Sequence, residues 1–367
     1  MRCTRDWTTC RRRLTIATLA AAFLLHSACA RAINVTLDYT YDTTNFFGSG
    51  NPSGAAAGAQ AKSAVEAAAA FFSNMLKDTF SSNQTPPDFH SSFGSGIASW
   101  DWTQTFAHPA TNSPINIENI SISDDEYRVY VGARNLGSAT LGVGGPGGYA
   151  VSSNNNGGSF SLAEIIQLNQ ITNDFFNSVQ TRGETSGFSS WGGTLTFDSV
   201  GTAWNYNHTV APSGGVNDFY AVAVHELAHS LGFGASDEWS SLAGSANFSG
   251  PAAAAEYGSN PPLSVPPRAH WASGTMSTVF ETIIVQEAAM DPELSLGTRK
   301  LFTDLDAAAL VDIGWEIRAV PEPSAFAITL VSVGVLEFSR RLSTRGMAQS
   351  SRKLASDPAV CLRRFLA

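Results

Sequence analysis

The sequence predicts an α+β fold: a mixed, twisted sheet, a central helix, and a C-terminal part made mostly of helix and loop. Three observations carry this. Period-two runs of apolar residues lie before residue 200. Two long stretches among them have helical spacing instead. After a third helix near residue 225 the strand signals stop, and loops with one further helix follow.

Ile33 to Tyr41 alternates Val35, Leu37 and Tyr39 with polar residues, as a half-buried strand does. Ala55 to Phe80 is Ala-rich and spaces Val65, Ala69, Phe72 and Leu76 for a long helix. Ile115 to Val131 holds strand-like runs, among them Tyr127 to Val131. Gly137 to Gly158 is dense in Gly, Ser and Asn and reads as surface loop. Its Asn154 to Gly158 end lacks a carboxylate for Ca²⁺ and reads as plain flexible loop. Phe160 to Val179 is a second helix, and Gly193 to Phe197 alternates like a strand. Asn217 to Leu231 is the third helix, ended by Gly232. Phe302 to Trp315 is the fourth, with Thr303 as N-cap and Asp306 three residues on.

Charged residues make up 14% of the 367, against roughly a quarter in an average protein. Their distribution is uneven. The first 32 residues carry six Arg and one Asp, whereas 33–320 keeps nine basic and 27 acidic residues, a balance of −18. A body so acidic repels nucleic acid and anionic membrane surfaces, so no nucleic-acid partner is expected. The four cysteines, Cys3, Cys10, Cys29 and Cys361, all lie outside 33–320. That excludes a disulfide framework, a Cys-ligated metal and a Cys nucleophile from the body.

Both ends read as addresses. Arg11 to Arg13 precede the apolar run Leu14 to Leu25, and Ala30-Arg31-Ala32 offers small residues for signal peptidase. Residues 1–32 are therefore expected to be a signal peptide. A lipid-modified Cys29 is the second option. Val320-Pro321-Glu322-Pro323-Ser324, the apolar run Ala325 to Leu336 and Arg340-Arg341 resemble the PEP-CTERM sorting signal of Gram-negative bacteria. The resemblance implies export to the cell surface or extracellular matrix. It also implies transient membrane attachment through 320–342 and release by an exosortase-type processing enzyme. Two departures stand out: Glu337 interrupts the apolar run, and 343–367 continue as a basic tail, expected to be disordered. The body, 33–319, divides into a sheet-and-helix part to about 232 and a C-terminal part over 233–319.

The chemistry sits in His225-Glu226-Leu227-Ala228-His229. Residues four apart share a helix face, so both imidazoles can reach one ion, with a carboxylate beside it. That is the arrangement a hydrolytic Zn²⁺ uses, and a catalytic zinc takes a third protein ligand and keeps one position open. Six residues past His229 stands Ala235, which cannot ligate, and Asp237 is out of step. Glu256 and the more distant His270 remain candidates on the residues alone. His90, His108 and His208 lie in polar segments and receive no role.

The stretch His225 to Phe233 resembles the leishmanolysin-type metzincins, in which the third histidine follows an insertion and precedes Trp. Ala269-His270-Trp271 matches that segment. Glu287-Ala288-Ala289-Met290-Asp291-Pro292 looks like the family's Met-turn, with Met276 as a competitor for Met290. Leu305 to Trp315, ending Asp312-Ile313-Gly314-Trp315, is similar to the closing helix. The match covers roughly Asn217 to Trp315 and lacks the family's cysteines. It implies a metzincin-like zinc metallopeptidase whose metal is held by His225, His229 and His270 and whose general base is Glu226. The substrate would be a protein or peptide. Gly193 to Phe197, just before the zinc helix, has two readings: a sheet-edge strand that pairs with an extended substrate, or an ordinary sheet strand. Two other readings use the same residues: a non-catalytic surface or matrix adhesion protein, and a zinc hydrolase of a non-peptide amide.

Overall fold

The computed structural model describes residues 33–318 except 138. The expected signal peptide, the sorting segment, the basic tail and all four cysteines lie outside the described residues. Strands β1 (Asn34–Asp38), β5 (Glu126–Arg134), β8 (Gly192–Asp198) and β6 (Gly142–Pro146) form a four-stranded sheet in the order β1-β5-β8-β6. The first three run parallel, and β6 closes one edge antiparallel to β8. A second, antiparallel sheet is centred on β3 (Ile97–Ala107). It is flanked by β7 (Gly148–Asn155) on one side, and by β2 (Phe89–His90) and β4 (Pro114–Glu118) on the other. The fold is thus mixed α+β with a twisted mixed sheet and several helices.

Alternation along β5 divides the interior. Tyr127, Val129, Val131 and Ala133 face helices α1 (Ala55–Met75) and α3 (Phe219–Ser230). Tyr130 faces the other way, toward Trp191, the inner residues of β3 and helix α2 (Leu162–Thr181). Helix α2 starts with a capping box, in which Ser161 and Glu164 bond each other's backbone N–H. Helix α1 stops at Met75 rather than at Phe80. Leu76 turns extended to bridge Ile317, and the Lys77 N–H bonds the Glu316 carbonyl, so the last described segment replaces the missing turn. Short pairs β9 (Trp204–Asn205) and β10 (Asn217–Asp218) lead into α3.

Beyond α3 come the short helices α4 (Asp237–Leu242) and α5 (Pro251–Tyr257), a hairpin of β11 (Met276–Thr278) and β12 (Val285–Glu287), and helix α6 (Asp304–Asp312). Helix α6 is shorter than expected but begins with the expected Thr303–Asp306 capping box. Among the described residues no helix is long and apolar enough to cross a membrane.

Two readings are overturned. Gly137 to Gly158 is not largely loop, because it supplies β6 and β7. Its glycines serve close approach instead of flexibility: a Cβ on Gly144 would lie 2.0 Å from the Glu226 carbonyl oxygen, and one on Gly142 would lie 2.6 Å from Glu226 Cγ. And Gly193 to Phe197 is an interior strand, since β5 and β6 cover both its sides. The edge beside helix α3 is β6.

Candidate metal centre

Helix α3 is anchored at both ends. Asp218 caps it, accepting from the Ala221 N–H at 2.8 Å, and is itself fully buried against Arg299, whose Nε and Nη contact both carboxylate oxygens at 2.7–3.0 Å. At the other end Tyr127 donates to the Ser230 carbonyl and Trp315 Nε1 donates to the Leu231 carbonyl at 2.8 Å. Gly232, at φ 96°, turns the chain away in a conformation that other residues resist.

His270 reaches this helix from a segment 41 residues past His229. Trp239 Nε1 donates to the Arg268 carbonyl at 2.9 Å. A Cβ on Gly234 would lie 2.2 Å from the Ala269 carbonyl oxygen, so only glycine lets the two strands of chain meet there. Trp271 packs on Phe233, Trp239 and Phe248 in a buried aromatic cluster. Its backbone N–H bonds the Met290 carbonyl at 3.0 Å and its indole donates to Asp306 at 2.8 Å.

The result is a convergence of three imidazoles. His225 Nε2 lies 3.1 Å from His229 Nε2 and 3.1 Å from His270 Nε2, and the last pair is 2.9 Å apart. His225 Nδ1 is 2.8 Å from the Ala289 carbonyl oxygen, and His229 Nδ1 is 2.7 Å from that of Phe233. A carbonyl oxygen only accepts, so each Nδ1 carries its ring's proton and each Nε2 presents a lone pair. Two lone pairs thus face each other, and the single proton His270 could supply cannot satisfy both. A shared cation relieves the repulsion. Extra protons do not: burial, then the neighbouring imidazoles, holds His225 well below its usual pKa and pushes His270 down to about 3. His229 is lowered by burial as well. Neutral rings are what a metal ion requires of histidine. Among the described residues these three histidines form the cluster able to bind a metal ion.

Glu226 stands beside them, 7% exposed. Burial pushes its carboxyl up to about 8, with the Gly144 peptide opposing. His225, Glu226 and His270 line an open cavity of about 660 Å³. Its walls are Asn217 of β10 with Ala221 and Val222 at the start of α3, the entry to β6 (Ala139 to Gly142) and the segment Asp291 to Leu296, with Lys300.

Met290 is fully buried, and its backbone N–H points to Asp306 Oδ1 at 3.3 Å. Met276 is 49% exposed on β11, away from the cluster. Asp237 and Glu256 are exposed on α4 and α5 and take no part. His90, His108 and His208 also stand apart. Sequence reasoning missed Asp306 as more than a cap. Its buried carboxylate also accepts from the Ala289 N–H at 2.9 Å, joining the third-histidine segment to the turn that orients His225. The capping-box spacing found its place on the helix, but nothing local announced the other contacts. Comparison with protein-family models, with curated proteins and with solved structures finds nothing that matches this chain.

Proposed function

We propose that the chain is an exported, zinc-dependent endopeptidase related to the leishmanolysin-like metzincins. One observation carries the reading: three histidine Nε2 atoms converge within 3.1 Å of one another, beside a buried glutamate and on an open cleft. An all-imidazole set suits zinc and other borderline transition metals, whereas Ca²⁺ and Mg²⁺ take oxygen ligands. Zn–N bonds of about 2.0–2.1 Å at tetrahedral angles put nitrogens about 3.3 Å apart, within a few tenths of an ångström of the spacing here. When bound, zinc supplies Lewis acidity, polarising a carbonyl and lowering the pKa of a water to about 7.

Glu226 handles the proton. Its carboxylate takes one from the attacking water as the oxygen bonds to the peptide carbonyl carbon. It passes that proton to the amide nitrogen as the C–N bond breaks. Burial raises its proton affinity toward neutrality, and a bound dication opposes that rise, which together suit a group that must accept and then donate. The substrate lies extended along the cleft. Strand β6 pairs only with β8 among the described residues, so a peptide backbone can add to its other side. Leu141, Val222, Leu294 and Leu296 offer apolar contacts to its side chains. Export and membrane retention follow from the sequence signals in 1–32 and 320–342.

The test is casein digestion by the purified full chain with and without a zinc chelator, alongside Glu226→Gln. The variant is expected to keep one zinc per chain and lose turnover by at least about a hundredfold. Full activity in Glu226→Gln, or in chelated protein, rejects the reading.

A further inference from the structure

Exposed aliphatic side chains crowd the β11–β12 hairpin. Its register sets Met276 opposite Glu287 and Thr278 opposite Val285, so these four share one face. Ser277 and Gln286 form the other face and bind the body: Ser277 Oγ accepts from the Leu305 N–H, and Gln286 Nε2 donates to the Leu301 carbonyl. On the first face Val285 is 63% and Met276 49% exposed, whereas Glu287 turns back to the Gly274 N–H and Lys300. In the connection, Ile283 is 95% and Ile284 60% exposed. The segment is well built. Val279 and Ile284 pair through the backbone, the Phe280 N–H bonds the Phe302 carbonyl, and Phe280 packs on Phe71. Four apolar side chains held outward on a bonded hairpin form an apolar tip with no partner among the described residues.

The chain leaves the body at the same place. The Arg318 guanidinium contacts Glu281 Oε1 at 2.5 Å, two residues before Ile283, and 49 residues follow Arg318. The apolar run Ala325 to Leu336 begins seven residues on. Seven extended residues span at most about 25 Å. A bilayer that holds this run therefore begins within that length of chain from Arg318, whose side chain pairs with Glu281 beside the tip.

We propose that the tip, formed by Ile283, Ile284, Val285 and Met276, is a bilayer-docking surface that enters the interfacial layer of a zwitterionic membrane while the chain is anchored. The proposal rests on the membrane reading of 320–342 given above. Zwitterionic lipid is the fitting occupant because the body's −18 balance repels anionic headgroups. Anchoring would then fix the enzyme's orientation as well as its location.

The experiment uses the full chain with Cys3, Cys10, Cys29 and Cys361 changed to Ser and one new cysteine carrying an environment-sensitive dye. Ile283→Cys and Ile284→Cys report on the tip. Leu162→Cys, at a 75% exposed site on α2, is the control. Phosphatidylcholine vesicles containing a lipid-borne quencher are added and floated. The expected result is that the protein floats and that both tip labels are quenched at least about twofold more than the control. If the protein floats and tip and control are quenched alike, the docking surface is rejected while membrane retention stands. If the protein does not float, retention fails and the docking surface with it. If the tip labels are already shielded without lipid, in a particle of doubled mass, a second copy covers the tip and the proposal is overturned.

Discussion

Asp306→Asn probes how the ligand cluster is held together. Oδ1 of Asp306 accepts from Trp271 Nε1 at 2.8 Å and from the Met290 N–H at 3.3 Å. Oδ2 accepts from the Thr303 N–H at 2.9 Å, Thr303 Oγ at 2.7 Å and the Ala289 N–H at 2.9 Å. All five partners donate, so a carboxylate fits and an amide does not. Either orientation of the asparagine turns an NH₂ group toward donors. The milder one sets it against Trp271 and Met290. Each orphaned buried donor costs about 1–3 kcal/mol, so about 2–6 kcal/mol is lost if nothing relaxes. That is a large share of the ~5–15 kcal/mol that holds a typical domain. The damage falls on the residue after His270 and on the turn whose Ala289 carbonyl orients His225. Zinc affinity is therefore expected to drop about 10–100-fold, as it does when groups behind metal ligands are removed. Competition with a colorimetric chelator measures the affinity, and urea unfolding of the metal-free protein measures the stability. Asp312→Asn is the control. Asp312 lies on the same helix but accepts from the Ala252 and Ala253 N–H groups at the start of α5. It should lose stability and keep zinc affinity. If Asp306→Asn retains both parental affinity and stability, the clamp described here does not exist.

Three further outcomes are expected. His270→Ala should lose stoichiometric zinc, measured by atomic absorption after gel filtration, while Glu256→Ala and Asp237→Ala keep it; zinc retained in His270→Ala would remove the third ligand from the site. Gly144→Val puts a Cβ 2.0 Å from the Glu226 carbonyl oxygen, and the overpacking should cost at least ~1–3 kcal/mol, with an unchanged melting temperature counting against the packing of β6 on α3. Asp78 sits buried beneath the Glu316 N–H, and burial first, with Glu316 and Glu184 adding, pushes its carboxyl up to about 6. Between its unfolded pKa near 4 and its folded one the native state holds the proton more tightly. Its contribution to stability is thus complete below about pH 4 and lost as pH rises through about 6. Discounted for solvent screening, that loss is ~1–2 kcal/mol, and Asp78→Asn should gain that much relative to the parent between pH 4.5 and 7.5 in urea melts. A gap between the two proteins that does not change with pH would refute the assignment.

What the sequence made legible was local. The i, i+4 histidines fall on one face of a helix whatever the rest of the chain does, and the Thr303–Asp306 cap is a four-residue event. Spacing could not bring His270 to the site. The aromatic side chains of Phe233, Trp239 and Phe248 around Trp271, a glycine that admits the Ala269 carbonyl, and a carboxylate 36 residues downstream bring it there, and all of these partners lie far from His270 in sequence. The Gly-rich segment misled because glycine has two uses. Read as flexibility it gives a loop, whereas here it lets β6 lie flat against helix α3. Position just before a helix does not decide whether a strand is an edge: β8 is interior because β6, from the glycine-rich segment, pairs with its free side. For β3 the signal was present: Ala98, Trp100, Trp102, Gln104 and Phe106 alternate inward along Ile97–Ala107.

The cleft depends on a device that no motif contains. Arg299 grips one wall, bonding Asp218 at the start of α3 and the carbonyls of Asn207, His208 and Val210. Lys300, the next residue, grips the other. Its ammonium lies 2.8 Å from Glu287 and 3.1 Å from Asp291 and also contacts the Glu293 carbonyl. Two adjacent side chains therefore tie the entrance of α3 to the segment that follows Met290. Both cations are mostly buried and meet only acceptors, so removing either leaves carboxylates stranded at a cost larger than a surface pair would carry. Lys300 itself lines the cavity, and Arg299 holds the Asp218 end of α3 beside it. The His225–His229 pair is thus readable from five residues of helix, whereas the cavity beside it is framed by contacts of Arg299 and Lys300 that no local motif announces.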